Sequence, residues 1–116
     1  MKPKSLGALA EQAAAEFLRG RGLRLLQQNY RCRFGEIDLI LQDGDTLVFA
    51  EVRLRSRDDF GGAAASINAA KRSRLVRAAR HYLAGLGGMP PCRFDAVLLQ
   101  DAEGRNVEWL RNAFGA

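Results

Sequence analysis

Residues 34–55 read FGEIDLILQDGDTLVFAEVRLR, and two apolar runs in this segment flank a short polar sequence with an Asp-Gly pair. An Asp-Gly pair between such runs is a strong signal for a β-hairpin. We therefore predict that Asp38 lies on the first strand of a hairpin and Glu51 on the second. Both carboxylates have apolar neighbours in the sequence, which is unusual for charged residues.

The register of the hairpin determines how close these carboxylates are. Alternation along a strand puts Glu36, Asp38 and Ile40 on one face of the first strand. A turn that pairs Gln42 with Asp45 then places Glu36 opposite Glu51, with Asp38 diagonal to Glu51 on the same side of the sheet. Diagonal neighbours are roughly 7–8 Å apart at the backbone. Two carboxylates at that separation can share a cation.

A cluster of carboxylates in a buried sheet needs a positive partner, because the charges repel one another and lose their hydration. A divalent metal ion, Arg53, or both can supply that charge. A structural ion pair between Arg53 and Glu36 or Glu51 is the alternative, since ion pairs also occur in sheets without a catalytic role. Spacing alone leaves both interpretations open.

The N-terminal segment predicts a helix. Apolar residues recur at helical spacing after Ser5, a favourable N-cap, and before Gly20 and Gly22, which end the pattern. Glu11 and Glu16 fall on opposite shoulders of the apolar stripe. Glu11 borders buried surface, although a glutamate in such a position is usually just solvated.

A second helix is predicted from about Ala63 or Ser66 to Leu86, with Leu86 on its inner, apolar stripe. Lys71 falls on the same stripe. Either its aliphatic stem covers apolar surface while the amine reaches solvent, or the amine points at the carboxylate cluster of the hairpin. The outer face of the helix carries the residues Arg74, Arg77, Arg80 and His81.

The remaining pattern completes one α/β domain. Apolar runs at 23–30, 93–100 and 107–110 predict an edge strand before the hairpin and two strands after the second helix. The chain has 116 residues and 47% apolar content, which predicts a single domain that covers residues 1–116. We expect a mixed β-sheet flanked by helices.

The charge of the chain is unevenly distributed. Its net charge of +5 favours polyanionic partners such as nucleic acid. Residues 53–80 contain eight Lys and Arg against two Asp, so the positive excess is regional. A phosphate-binding track or a merely solvated cationic face are the two interpretations of this region. The candidate phosphate-binding residues are Arg53, Arg55, Arg57, Lys71 and Arg74.

The sequence does not indicate a zinc site, a disulfide framework, a signal peptide or a membrane-spanning segment. Cys32 and Cys92 lack C-x-x-C spacing, so we expect no zinc site and no disulfide framework, with both thiols reduced and buried. The N-terminus lacks the continuous apolar core of a signal peptide, and no run reaches membrane-spanning length. We therefore expect a cytoplasmic protein without membrane contact.

Two motifs carry a resemblance to a known family: Gly35-Glu36-Ile37-Asp38-Leu39-Ile40 and Phe49-Ala50-Glu51-Val52-Arg53. They resemble the hallmark of the YraN-like bacterial family. That family is placed with the restriction-endonuclease-like PD-(D/E)XK nucleases, and its motif layout is similar to that of archaeal Holliday-junction resolvases. The likeness extends over nearly the whole chain and includes residues 93–95 and 112–114.

The resemblance implies a restriction-endonuclease-like core and a metal-dependent endonuclease that acts on structured or branched DNA rather than RNA. Glu11, Asp38 and Glu51 would then hold Mg²⁺, and Mn²⁺ should substitute for it. Resolvase-like nucleases often act as two-fold dimers, so the resemblance also suggests a homodimer.

Arg53 departs from the nuclease pattern, because it stands where the E-x-K element has its lysine. Arginine stays protonated, so it can stabilise negative charge but is a poor proton acceptor. Either Arg53 or Lys71 supplies the positive charge beside the catalytic carboxylates Asp38 and Glu51, or the site has lost cleavage and retains nucleic-acid binding. A small interaction protein, in which the charged cluster only stabilises the sheet, is the third interpretation.

Overall fold

The computed structural model of the chain describes residues 5–54, 67–101 and 106–115. Its strands form one sheet in the order β1-β2-β3-β4-β5, in which β3 and β4 are parallel and the other neighbours are antiparallel. The mixed sheet expected from the sequence is therefore confirmed. In chain order, the elements are α1 (Leu6–Gly20), β1 (Arg24–Cys32), β2 (Gly35–Asp43), β3 (Thr46–Leu54), α2 (Ala69–Ala84), β4 (Cys92–Leu99) and β5 (Glu108–Phe114).

One helix packs on each face of the sheet, so the molecule has three layers. Ala14 of α1 packs with Leu39 and Val48 on one face of the sheet. Leu75 of α2 packs with Phe49 on the other face. Because both faces are covered, each central strand contains a continuous buried apolar run, as in residues 39–41, 47–50 and 96–99. This arrangement is consistent with a restriction-endonuclease-like fold.

The helix α1 begins and ends as the sequence predicts. The Ser5 hydroxyl accepts a hydrogen bond of 3.1 Å from the Ala8 backbone N–H, which satisfies one free donor of the first turn. Beyond the helix, Gly22 has φ +93°, a conformation that glycine adopts without strain. Glu11 is half-buried and Glu16 is exposed, so the two shoulders of α1 differ in their surroundings.

The hairpin of β2 and β3 lies where the sequence predicts it, but the predicted register is wrong. Its turn is closed by Asp43 and Thr46 rather than by Gln42 and Asp45, and Gly44 has φ +60°. The sequence suits either turn, because glycine fits the second central position after aspartate and also the first central position before it. The structure selects the second of these arrangements.

The corrected register changes which carboxylates face each other. Because the shift is two residues, it does not by itself move side chains to the other face of the sheet. Continued past the last paired residues, the observed register places Asp38 across from Glu51. The predicted register had placed Glu36 there.

The strands β2 and β3 diverge close to these carboxylates. Their ladder ends at Leu39 and Ala50, beyond which β2 continues to pair with β1 and β3 with β4. The backbone N–H of Val52 donates to Asp38 Oδ2 at 2.9 Å. The Asp38 side chain therefore provides the acceptor that the β2 backbone no longer provides.

Strict alternation in β2 also fails at this point. We predicted that Glu36, Asp38 and Ile40 share one face. Ile37 and Ile40, however, both pack in the apolar cluster beside α2, whereas Leu39 packs beside α1. The strand therefore rotates about its axis where it leaves β3, which is the location of Asp38.

The helix α2 is shorter than predicted. Its N-cap is Asn68, whose side-chain oxygen accepts a 2.9 Å hydrogen bond from the Lys71 backbone N–H. The predicted start at residues 63–66 lies outside the described residues. The helix ends before Gly85, so Leu86 is 49% exposed, and its predicted position on the inner stripe is wrong.

Three smaller expectations have different outcomes. The strand β1 lies at the edge of the sheet, as predicted, whereas β5 continues well beyond the predicted range 107–110 because its residues pair with β4 as far as Phe114. Both cysteines are free, but Cys32 is half-buried and Cys92 is exposed at the start of β4, so the prediction that they are buried is wrong. Neither α1 nor α2 is long and apolar enough to cross a membrane.

A buried carboxylate holds β5 against β4. Asp95 is 0% exposed and accepts hydrogen bonds from Arg93 Nε, Trp109 Nε1 and the Asn112 backbone N–H, at 2.9–3.1 Å for the closest contacts. Arg93 also bridges to Asp43 at 2.9 Å. Since its oxygens are well supplied with donors, Asp95 has a structural role in this fold.

Candidate functional site

The predicted carboxylates line a cavity of about 210 Å³ between the diverging ends of β2 and β3 and the N-terminal half of α2. The cavity combines negative and positive side chains with one apolar wall. Its lining residues are Gly35, Glu36, Asp38, Glu51, Lys71, Arg74 and Leu75.

Asp38 has a strongly perturbed environment. Burial, together with the nearby Glu11 carboxylate, raises the pKa of Asp38 to about 6. The hydrogen bond from the Val52 N–H favours the charged form and opposes this shift. The Asp38 and Glu51 carboxyl groups line the same cavity. The two motif carboxylates therefore meet, as the sequence predicts.

Glu51 is more deeply buried than Asp38, with 5% exposure. Burial and the Asp38 charge raise the pKa of Glu51 to about 7, although Lys71 acts in the opposite direction. The Lys71 ammonium nitrogen lies 2.5 Å from Glu51 Oε1. Of the two interpretations for Lys71, the structure thus supports the one in which its amine points at the carboxylate cluster.

A second group of carboxylates shares Asp38. Oxygen atoms of Glu11, Glu36 and Asp38 all lie within 4.8 Å of one another. Glu11 comes from α1, on the opposite side of the sheet from α2. Asp38 therefore links the two helical layers, with Glu11 on one side and Glu51 with Lys71 on the other.

The donor atoms suit a hard divalent cation. They are carboxylate oxygens from four residues, which is the ligand type that Mg²⁺ and Mn²⁺ prefer. Oxygen atoms of Glu11, Glu36 and Asp38 lie within 4.8 Å of one another, so their mutual repulsion favours a bound cation. These three residues fit a magnesium site, and the buried Glu51 lies next to Asp38 in the adjoining cavity.

The predicted phosphate-binding residues separate into three groups. Lys71 and Arg74 line the cavity. Arg53 is half-buried on β3 and does not belong to the cavity lining. Arg55 and Arg57 lie outside the described residues. Of these residues, Lys71 lines the cavity and also pairs with Glu51.

Sequence reasoning missed the aromatic residues next to the cavity. Phe34 immediately precedes Gly35, and its ring centroid lies 6.0 Å from that of His81 on α2. The guanidinium of Arg33 lies 4.7 Å from the centroid of the Phe34 ring. The sequence offered one signal for this surface: Phe34 lies in the short turn between β1 and β2, where an aromatic residue is uncommon.

Comparison with known proteins gives the family of the chain. The family model described as "Uncharacterised protein family UPF0102" matches residues 10–99, which include both motifs and the whole of α2. The chain belongs to the UPF0102 family. The YraN-like resemblance of the sequence is consistent with this result.

Members of the UPF0102 family from several bacteria match along almost their full length. A UPF0102 protein of Nitrosomonas europaea is 65% identical over 108 residues, which cover 93% of this chain and 92% of that protein. One from Methylobacillus flagellatus is 52% identical over 113 residues, 97% of this chain and 99% of its own. One from Janthinobacterium is 48% identical over 120 residues, with 100% and 95% covered. The UPF0102 chain is thus similar in extent to its relatives.

Proposed function

We propose that this UPF0102 protein is a metal-dependent endonuclease that hydrolyses phosphodiester bonds in structured or branched DNA. The observation that carries the proposal is that the Asp38 and Glu51 carboxyl groups line one small cavity where β2 and β3 diverge. Burying two like charges together costs stability, and such costs are concentrated at functional sites. A divalent cation bound there would neutralise the two charges, which explains why the carboxylates are buried together.

The metal requirement follows from the ligands. Glu11, Asp38 and Glu51 would hold Mg²⁺, with Mn²⁺ as its substitute, and Glu36 is close enough to contribute. A divalent cation bound there would supply Lewis-acid stabilisation of the phosphate and make water a better nucleophile near neutral pH. The Val52 N–H fixes the orientation of the Asp38 carboxylate, which keeps this ligand in place before metal arrives.

We assign the role of the motif lysine to Lys71 rather than to Arg53. The Lys71 ammonium is in contact with Glu51 and faces the cavity, so it can donate to a phosphate oxygen that gains negative charge during attack. Its flexible four-carbon stem allows that ammonium to move between the carboxylate and the phosphate. Arg53 retains a supporting electrostatic role from β3.

The substrate proposal depends on charge and shape. Arg74 lines the cavity, and Arg77 and Arg80 are exposed farther along α2, so a phosphate backbone can follow this helix away from the carboxylates. Such contacts position a nucleic acid without reading its sequence. A two-fold dimer, which the resolvase-like resemblance suggests, would present two such sites to the strands of a branched substrate.

Nucleic-acid binding without cleavage is the second candidate function. The specific observation in its favour is Arg53, which cannot accept a proton at the position of the E-x-K lysine. If Lys71 does not replace the lysine, the same surface would bind DNA but leave it intact. The carboxylates would then affect metal binding or the stability of the fold and would have no role in catalysis.

The test is cleavage of labelled linear duplex, single-stranded and four-way-junction DNA by the purified protein with Mn²⁺ or Mg²⁺. We expect cutting that EDTA abolishes and that the Asp38→Asn and Glu51→Gln variants lack. Glu16→Gln is the matched control, because Glu16 is an exposed glutamate on α1. Circular dichroism and thermal melting establish that every variant is folded.

The outcomes separate the two candidates. Equal cutting by wild type and Asp38→Asn would contradict the nuclease proposal, since the activity would then come from another site or a contaminant. Salt-sensitive binding without cutting in either metal would favour the binding protein. Binding that is indifferent to ionic strength would contradict both, because phosphate contacts release counterions.

A further inference from the structure

An aromatic and cationic surface borders the carboxylate cavity. It consists of Arg33 and Phe34, which form the turn between β1 and β2, together with Tyr30 of β1 and His81 of α2. We call these four residues the turn platform. Arg33 and His81 are exposed, and Phe34 and Tyr30 are half-buried.

Internal contacts hold the turn platform in place. The Arg33 guanidinium lies 4.7 Å from the Phe34 ring centroid, and the Phe34 and His81 ring centroids are 6.0 Å apart. The Tyr30 hydroxyl is 2.5 Å from His81 Nδ1, and Tyr82 packs edge-on against Tyr30 at 5.3 Å. The Phe34 ring therefore has a defined position although it sits on a turn.

The turn platform is continuous with the cavity. Gly35, the residue after Phe34, lines the cavity, and so does Arg74. A β-carbon on Gly35 would lie 3.5 Å from the Arg74 β-carbon, so the turn rests directly on α2. Arg74, Arg77 and His81 recur at the spacing that puts them on one side of a helix. The positive helix side and the aromatic turn thus form one surface that starts at the carboxylates.

We propose that the turn platform binds an unpaired nucleobase of the nucleic-acid strand whose phosphate occupies the carboxylate cavity. The Phe34 ring supplies a plane on which a base can stack, and Arg33 supplies positive charge for the neighbouring phosphate. Bases inside a duplex already stack on each other, so the platform selects single-stranded or branched regions. The inference deepens the proposed function and rests on it for the strand in the cavity.

The location of the cations favours nucleic acid over an acidic protein as the occupant. Besides Arg33 of the platform itself, exposed arginines lie on both neighbouring elements, with Arg74 and Arg77 on α2 and Arg31, which pairs with Glu36, on β1. Alternation of cations with aromatic rings matches a strand in which phosphates alternate with flat bases. An acidic peptide offers charges but no regular alternation of those charges with flat rings.

Binding without cleavage provides the test. The parent protein is Asp38→Asn, kept in EDTA so that no strand is cut, and the probes are labelled single-stranded, blunt duplex and four-way-junction DNA. Phe34→Leu removes the ring but keeps an apolar side chain. We expect it to weaken single-strand binding about 5- to 100-fold, because stacking on one base contributes roughly 1–3 kcal/mol. Phe34→Trp should restore the affinity.

A matched control exists elsewhere in the chain. Arg21 lies over the Phe17 ring at 4.9 Å, so Arg21→Ala removes the same charge from the same type of contact at the end of α1. We expect Arg33→Ala to weaken single-strand binding at least fivefold and Arg21→Ala to change it less than twofold. Thermal melting of each variant measures whether it is folded.

Each outcome bears on the platform. Single-strand affinity in Phe34→Leu within twofold of the parent overturns the inference, as does an equal loss for duplex and single strands. If the parent binds no DNA, the inference fails, whereas the proposed function is still judged by cutting of DNA by the wild type in Mn²⁺. If Phe34→Leu loses single-strand binding but the wild type never cuts, the nuclease proposal fails while the platform stands. If Phe34→Leu cuts DNA as well as the wild type does, the inference about the platform fails while the nuclease proposal stands.

Discussion

Lys71 of α2 contacts Glu51 of β3 with 2.5 Å between the ammonium nitrogen and Oε1, from the side of the helix that packs on the sheet. This contact joins the element that carries the exposed arginines to the strand that carries the motif glutamate. Glu51 lines the same cavity as Asp38, which in turn lies beside Glu11 of α1. Four segments of the chain therefore converge on one set of charges.

Removal of the Lys71 amine should disable cleavage. In Lys71→Met, the pKa of Glu51 rises further because Lys71 normally lowers it, and the cavity loses its donor to the phosphate. We expect the single-turnover rate to fall about 100-fold, the usual loss for one transition-state donor. Arg21→Met is the control, since Arg21 is an exposed cation at the end of α1, outside the cavity. Equal rates in these two variants would contradict the assignment of Lys71.

Metal-free protein should become more stable as the pH falls from 8 to 5. The pKa of Glu51 is about 7 when folded and 4.5 as its ordinary value, and that of Asp38 is about 6 against 3.8. Between these values the folded state holds more protons than the unfolded chain, so stability declines as the pH rises. For Glu51 alone the upper bound is about 3 kcal/mol.

Denaturant unfolding in EDTA at several pH values measures this effect. Glu51→Gln cannot titrate, so its stability should change less between pH 5 and pH 8 than that of the wild type. It should also exceed the wild type in stability at pH 8, where like charges repel in the native site. A wild-type stability that rises with pH over this range would show that these carboxyl groups are not desolvated in solution.

Divalent metal should stabilise the folded protein. At a concentration of 100 times its dissociation constant, Mn²⁺ adds about 2.7 kcal/mol, which is on the order of 10 °C in melting temperature for a domain of this size. We expect the shift to increase from pH 5.5 to pH 8, because the cation competes with protons for the carboxylates. Differential scanning fluorimetry measures it.

Glu11 and Glu16 provide a matched pair for the metal experiment. Both are glutamates of α1, but only Glu11 lies with Glu36 and Asp38. Glu11→Gln should reduce the Mn²⁺ shift and Asp38→Asn should abolish it, whereas Glu16→Gln should leave it unchanged. A shift that survives in Asp38→Asn would locate the metal elsewhere.

Much of this site was readable in the sequence because its determinants are local. The apolar runs around Asp38 and Glu51 predict strands, and the helical spacing places Lys71 on the buried side of α2 without any tertiary information. These patterns depend only on the periods of helices and strands. They were sufficient to predict that Asp38 and Glu51 lie close together, although the predicted register of the hairpin was wrong.

The features that the sequence did not predict depend on contacts between distant segments. The choice between two turns around Gly44 is settled by packing of the whole hairpin rather than by the turn residues. The approach of Phe34 to His81 requires the β1–β2 turn to rest on α2, which no periodicity indicates. The length of β5 depends on its hydrogen bonds to Asp95 in β4.

Substitutions of Asp95 test whether a buried carboxylate in this fold can have a purely structural role. Asp95→Ala leaves the Trp109 Nε1–H and the Asn112 N–H without their acceptor and the Arg93 charge without one of its partners. We expect a loss of about 3–5 kcal/mol in the free energy of unfolding, as for other broken buried ion pairs.

Asp95→Asn keeps one side-chain oxygen as an acceptor, so it should lose less stability than Asp95→Ala. Because Asp95 lies outside the residues that line the cavity, folded Asp95→Asn should retain the full Mn²⁺ shift in melting temperature. Asp38→Asn, in contrast, should keep its fold and lose its response to metal. The comparison therefore distinguishes a structural aspartate, Asp95, from a metal-binding one, Asp38. A metal response lost equally in Asp95→Asn and Asp38→Asn would mean that the response reports folding and not a binding site.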